Sequence, residues 1–140
     1  MAASGLARLA RTGSVEGTFW RVLQRAGVPP ARYSGDHIEV DKTRQVLFVV
    51  RGGKVSLMTH VSTGATGNTT LGQWHVYSKQ PGWTPKGMYD SSFFLRGFAI
   101  HGYPEVPAYP ASHGCVRIPM WIAPTLYSEI PGDFSIYVYN

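Results

Sequence analysis

His37-Ile38-Glu39-Val40-Asp41-Lys42-Thr43-Arg44-Gln45-Val46-Leu47-Phe48-Val49-Val50-Arg51-Gly52-Gly53-Lys54-Val55-Ser56-Leu57-Met58-Thr59-His60-Val61-Ser62 decides the fold class. Ile38 and Val40 alternate with polar residues, which is the period of a half-buried strand. Lys42-Thr43-Arg44 makes a turn, and Gln45 to Val50 forms a near-continuous apolar strand. Arg51-Gly52-Gly53-Lys54 supplies a tight hairpin, from which Val55 to Ser62 returns. Strands joined by tight turns predict a mainly β protein.

Downstream, Trp74 to Ser78 and Phe93 to Ile100 are predicted strands, separated by turns at Pro81-Gly82-Trp83 and Pro85-Lys86-Gly87. Trp121 to Ile130 predicts a short helix, with Ile122, Leu126 and Ile130 on one side and Pro124 tolerable in its first turn. Phe134 to Tyr139 closes the domain as a strand. Upstream the period is helical. Ser14 caps a predicted helix carrying Phe19, Val22, Leu23 and Ala26, which Gly27 and Pro29-Pro30 end. Met1 to Gly13 reads as a flexible tail and Pro29 to Gly35 as a linker. The expected organisation is therefore an N-terminal tail, helix and linker over 1–35 and one domain over 36–140.

Composition bounds the function. A chain of 140 residues supports one core, and its 16 glycines and 10 prolines suit a turn-rich β fold. Thirteen basic against eight acidic residues give a net charge of +5, which suits an anionic partner. Nucleic-acid binding would rest on that charge and the aromatics alone, without a recognised motif, and is not expected. No run of about 18 apolar residues occurs, so no membrane-spanning helix is expected. No internal repeat or low-complexity tract stands out.

The chemistry concentrates in Ser112-His113-Gly114-Cys115-Val116-Arg117, where Cys115 is the only cysteine of the chain. It has no partner for an intramolecular disulfide. A free cysteine is mostly protonated at neutral pH and needs a base or a positive neighbour to react. His101, in Ile100-His101-Gly102, and His113 both offer one. Gly114 lets the backbone turn sharply and presents amide N–H groups to a developing oxyanion, an arrangement that suits acyl transfer. The competing readings are a buried cysteine acting as a small hydrophobe on a strand and a zinc ligand. Zinc fails on arithmetic, because one cysteine without His-x₃₋₅-His spacing is too few ligands. Trp83, Met88, Tyr89, Tyr103 and Tyr109 lie in glycine- and proline-rich loops, where they line a groove or pack beneath it. His37, His60 and His75 read as structural, and Arg44, Arg51 and Lys54 as solvated surface.

Ile100-His101-Gly102 followed by Ser112-His113-Gly114-Cys115-Val116-Arg117 resembles the signature of the L,D-transpeptidase (YkuD-like) family of cell-wall enzymes. The resemblance extends upstream through the 37–50 hairpin, Ser62-Thr63-Gly64 and Leu71-Gly72-Gln73-Trp74, and runs from about His37 to the C-terminus. It implies a YkuD-like β-sandwich of mixed sheets, with one short helix after the cysteine and the N-terminal helix in addition. The N-terminal helix would then either pack on the main domain or, with segment 1–35, be a remnant of a preceding wall-binding module, the reading favoured by the linker at Pro29 to Gly35. The resemblance further implies that Cys115 attacks a peptidoglycan stem peptide after its third residue, releases the terminal D-alanine and holds the stem as a thioester until an amine of a second stem resolves it. His101 would be the base, oriented by the Gly102 carbonyl, while His113 and Gly114 shape the oxyanion site. Arg117 would bind a substrate carboxylate through its planar fork, with Ser112, Tyr103, Tyr89 and Phe98 as further substrate-binding candidates.

No cofactor and no metal are implied. A carbapenem would be a covalent inhibitor, and the cell wall or periplasm the place of action, although Met1 to Arg11 lacks the apolar stretch of an export signal. That combination fits a fragment, a mature form or another export route. Water in place of the amine gives an L,D-carboxypeptidase, and the reading from another class is a module that only holds stem peptides. Three departures bear on the substrate groove: a short loop between His101 and Ser112, no proline from Gly67 to Trp74, and no aspartate in Trp121-Ile122-Ala123-Pro124.

Overall fold

The computed structural model describes residues 30–140, so the expected helix beginning at Ser14 and the tail before it lie outside the described residues. The elements in chain order are β1 (His37–Asp41), β2 (Val46–Arg51), β3 (Lys54–His60), β4 (Gly72–His75), β5 (Ser78–Trp83), β6 (Tyr89–Leu95), β7 (Phe98–Tyr103), β8 (Val116–Pro119), the short helix α1 (Ala123–Glu129) and β9 (Ser135–Tyr139). They form a five-stranded sheet in the order β3-β2-β1-β9-β4 and a four-stranded sheet in the order β5-β6-β7-β8. Both sheets are mixed: β1 pairs parallel with β9 and β7 parallel with β8, while the other pairings are antiparallel. This is the mainly β architecture of mixed sheets with one short helix that the sequence led us to expect.

The core lies where the sheets face each other. Ile38 and Val40, Leu47 and Val49, and Ile136 and Val138 come from the first sheet; Phe94, Ile100, Val116 and Ile118 come from the second; Ala123, Leu126 and Ile130 come from α1 and its end. The other face of the first sheet is covered too, by a smaller cluster of Val46, Phe48 and Val50 against Ala31, Val55 and Met58. Burial on both faces explains why Val46 to Val50 is apolar without alternation.

Segment 31–35 is fastened to this sheet. The buried Glu39 carboxylate accepts the backbone N–H groups of Arg32 and Tyr33 and the Tyr139 hydroxyl, and lies 2.7 Å from His37 Nε2. Tyr33 stacks on Tyr137 at 3.9 Å, and Arg32 lies over the Tyr139 ring at 3.7 Å.

Several elements differ from the sequence expectation. Phe93 to Ile100 is two strands rather than one, because the chain reverses at Arg96-Gly97 with Arg96 in the left-handed region at φ 52°. Pro81-Gly82-Trp83 does not end a strand but continues β5 through an irregularity in its pairing with β6. Gln45 belongs to the turn, at φ 56°, and its buried amide donates to Lys42 O and Thr63 Oγ1 while accepting the Thr63 N–H. Arg51 is not merely a solvated residue: it donates to the Glu129 carbonyl and carboxylate and lies over the Phe134 ring. With Lys79, which donates to the Tyr127 and Ile130 carbonyls, it satisfies the end of a helix that is too short to stand alone.

Because α1 is held mainly by its apolar face, Leu126→Ala should cost about 2–5 kcal/mol of unfolding free energy. Exposed Ser128, on the same helix, bonds only the Pro124 carbonyl by its hydroxyl, and Ser128→Ala should lie within about 0.5 kcal/mol of wild type. Urea denaturation of both variants checks the contrast.

Candidate active site

The connection between β3 and β4 joins the two sheets and holds the cysteine turn. Ser62 and Arg117 exchange backbone hydrogen bonds of 3.0 and 2.9 Å, and the Thr63 carbonyl accepts the N–H groups of Ala111 and Ser112. Every carbonyl of the turn from Ser112 to Cys115 then has a donor. Ala65 N–H donates to Ser112 O at 2.8 Å, Asn68 Nδ2 to His113 O at 2.8 Å, Thr69 Oγ1 to Gly114 O at 2.7 Å, and Ser112 Oγ to Cys115 O at 2.5 Å. Ser112 Oγ also accepts the Gly114 N–H. Gly114 is at φ 135°, and a Cβ there would fall 2.4 Å from Phe98 Cζ, so both the backbone conformation and the space require glycine.

Cys115 sits part-buried at the mouth of β8. Its sulfur accepts the Ala99 N–H at 3.4 Å and donates weakly toward the Gly97 carbonyl at 3.8 Å. His101 lies across the parallel β7–β8 pairing, in register with Arg117. Its Nδ1 is 2.9 Å from the Gly102 carbonyl. A carbonyl only accepts, so Nδ1 carries the proton and Nε2 keeps its lone pair. Gly102 must itself be small, because a Cβ would lie 2.7 Å from the Ala123 Cβ. The Tyr103 ring meets His101 edge-on at 5.9 Å and carries the Arg117 guanidinium 4.1 Å from its centroid.

Phe98, His101, Tyr103, Ser112, His113, Cys115 and Arg117 line one cleft of ≈ 380 Å³. Gly102 and Gly114 shape its walls from behind, through the close approaches just described. Tyr89 is placed differently: it pairs with Gly102 in the sheet and packs on Trp83 at 4.9 Å, outside this lining. Met88, Gly97 and Lys86 complete the lining. Lys86 was legible in the sequence only as a turn residue between Pro85 and Gly87, with nothing to say that this turn faces the cysteine. Among the described residues no group of three or more His, Cys, Asp or Glu side chains could hold a metal ion.

Electrostatics set the resting protonation. Burial pushes the Cys115 thiol up from its ordinary value, and the Ala99 N–H, Lys86 and Arg117 pull against it. Burial pushes His101 down, opposed by its bond to Gly102 and reinforced by the Arg117 charge. The site therefore rests as neutral thiol and neutral imidazole. That pairing fits nucleophilic acyl transfer.

The chain matches the family model of the YkuD L,D-transpeptidase catalytic domain over residues 35–138. Among solved structures, it is similar to an L,D-transpeptidase from Xylanimonas cellulosilytica DSM 15894, at 29% identity and a TM-score of 0.81, covering 99% of this chain and 77% of that one. It is also similar to an L,D-transpeptidase from Stackebrandtia nassauensis, at 23% identity and a TM-score of 0.69, covering 99% and 89%. L,D-transpeptidase 3 from Mycobacterium tuberculosis, in complex with a faropenem-derived adduct, shares the fold at 15% identity and a TM-score of 0.66, covering 76% of this chain and 60% of that one. Comparison with the curated proteins gave no match.

The neutral resting pair makes a signed prediction for alkylation of Cys115 by iodoacetamide, which reads the thiolate. Its rate should rise with pH through a midpoint above the ~8.5 of an unperturbed cysteine. Arg117→Ala, by removing a cation that favours the thiolate, should move the midpoint higher still. A midpoint below 7 in the wild type would contradict the neutral pair.

Proposed function

The chain belongs to the L,D-transpeptidase catalytic domain family, and from that premise we propose that it is a cysteine acyltransferase acting on peptidoglycan stem peptides. The observation that carries the reading is the placement of Cys115 and His101 in one cleft, with the imidazole tautomer fixed by Gly102. In the proposed cycle, Cys115 Sγ bonds to the carbonyl carbon that follows the third stem residue while His101 Nε2 takes the thiol proton. The Gly114 N–H is committed to Ser112 Oγ, and the Cys115 N–H is the proposed oxyanion donor. Collapse breaks the C–N bond to D-alanine, whose amine receives the proton from His101, and leaves the stem as a thioester. An amine of a second stem attacks that thioester, His101 takes its proton, and the sulfur departs and is reprotonated, leaving a crosslink between stem residues.

The cations of the cleft suit the carboxylates of such a substrate, and Arg117, presented flat over Tyr103, is the proposed binder of one of them. His113, exposed at the cleft edge, is proposed to shape the oxyanion side. A substrate in the wall puts the place of action outside the cytoplasm. No helix among the described residues is long and apolar enough to cross a membrane. By the same chemistry a carbapenem, whose strained carbonyl is an acyl donor, should form a covalent adduct on Cys115.

Incubation with a disaccharide-tetrapeptide, with products resolved by mass, tests the proposal. Wild type should yield D-alanine and crosslinked dimer, and Cys115→Ala neither. Shortened tripeptide without dimer would identify a carboxypeptidase instead, and turnover by Cys115→Ala would overturn the assignment of the nucleophile.

A further inference from the structure

The proposed cycle assigns no part to Lys86, yet the fold presents it with care. Its turn is closed by the Thr84 N–H to Met88 O bond at 2.8 Å and the Gly87 N–H to Thr84 O bond at 3.0 Å. Thr84 Oγ1 also accepts the N–H groups of Lys86 and Met88. Gly87, at φ 79°, rests against the ring that carries Arg117, since a Cβ there would be 3.9 Å from Tyr103 Cε1. Lys86 and Arg117 are thereby held on one cleft whose lining, among the described residues, includes no acidic side chain.

The two cations are not equivalent. Arg117 is in register with His101, and its charge bears on both His101 and Cys115; the charge of Lys86 bears on Cys115. His101 protonates the departing amine, so the carboxylate of the leaving residue belongs on the Arg117 side. Lys86 is then free to meet the part of the donor that stays on the sulfur.

We propose that Lys86 is a specificity-determining residue that recognises a free carboxylate on the acyl portion of the donor, so that the cleft selects stems carrying two carboxylates over stems in which the second is amidated. This rests on the transpeptidase reading for the identity of the donor, though not for the charge at the cleft. An ammonium on a flexible stem reads charge rather than planar shape, which is what separates a carboxylate from its isosteric amide.

Two measurements on wild type, Lys86→Met and Lys86→Arg test it. The first is the ratio of Cys115 alkylation rates by anionic iodoacetate and neutral iodoacetamide, in which the thiolate fraction cancels. Lys86→Met should lower the ratio about threefold at low ionic strength, the factor one charge supplies at several ångströms in water, and Lys86→Arg should preserve it. The second is kcat/KM for a tetrapeptide donor and its amidated counterpart. Wild type should prefer the free acid about fivefold, the upper end for a solvent-accessible ion pair, mainly through KM, and Lys86→Met should lose the preference. An unchanged alkylation ratio, or a preference that survives in Lys86→Met, would overturn the inference. Wild type that turns over donors without preferring the acid would overturn it while leaving the transpeptidase reading intact. Wild type that turns over neither donor would overturn that reading and the donor assignment with it.

Discussion

Peptide carbonyls held in a packed turn need donors, and the turn that carries Cys115 has four in succession to satisfy, from buried Ser112 to exposed His113 and on to Cys115. None is met by regular strand pairing. Ala65, Asn68 and Thr69, all from the connection between β3 and β4, meet three of them, and the Ser112 hydroxyl closes the fourth from within the turn. The same connection bridges the two sheets through Ser62 and Arg117. A single stretch of chain therefore fixes both how the sheets are joined at this edge and where the sulfur points. Gly64, Gly114 and Phe98 pack so closely around it that the turn has little room to take another shape.

On that frame the electrostatics at Cys115 are a contest between burial and nearby cations, whereas at His101 the Arg117 charge adds to burial. Burial alone would keep the thiol protonated and the imidazole neutral, and the directions of both shifts say that burial prevails. Lys86 and Arg117 do not create a resting thiolate; both favour the sulfur anion, while the Arg117 charge also disfavours a protonated His101. An anionic substrate entering the cleft would offset part of their charge at the sulfur. On the proposed function, substrate binding and activation of Cys115 would be coupled through the same two side chains.

Much of this was legible in the residues. The alternation at Ile38 and Val40 and the apolar run to Val50 announced the first sheet, and His101-Gly102 with Ser112 to Arg117 announced the cleft, because short-range periodicity and motif spacing are local properties. What escaped was set by long-range packing. The reversal at Arg96-Gly97 has no turn pair of the kind that marks hairpins, so Phe93 to Ile100 read as one strand. Gln45 looked like the first residue of a strand, whereas its amide is recruited by Thr63 across the fold. Lys86 sat in an ordinary turn, and only the placement of β6 beside β7 brings that turn to the cysteine. Tyr89, singled out for its loop, is spent on Trp83 and the wall behind Gly102.

In the proposed function the thiol of Cys115 becomes the acyl carrier. The most direct measurement is intact-protein mass spectrometry of wild type quenched during turnover of a tetrapeptide donor, followed by peptide mapping. The expected result is a mass increase equal to the tripeptidyl acyl group, located on Cys115 and labile to hydroxylamine as a thioester. An acyl group mapped to another residue, such as Ser112, would contradict it.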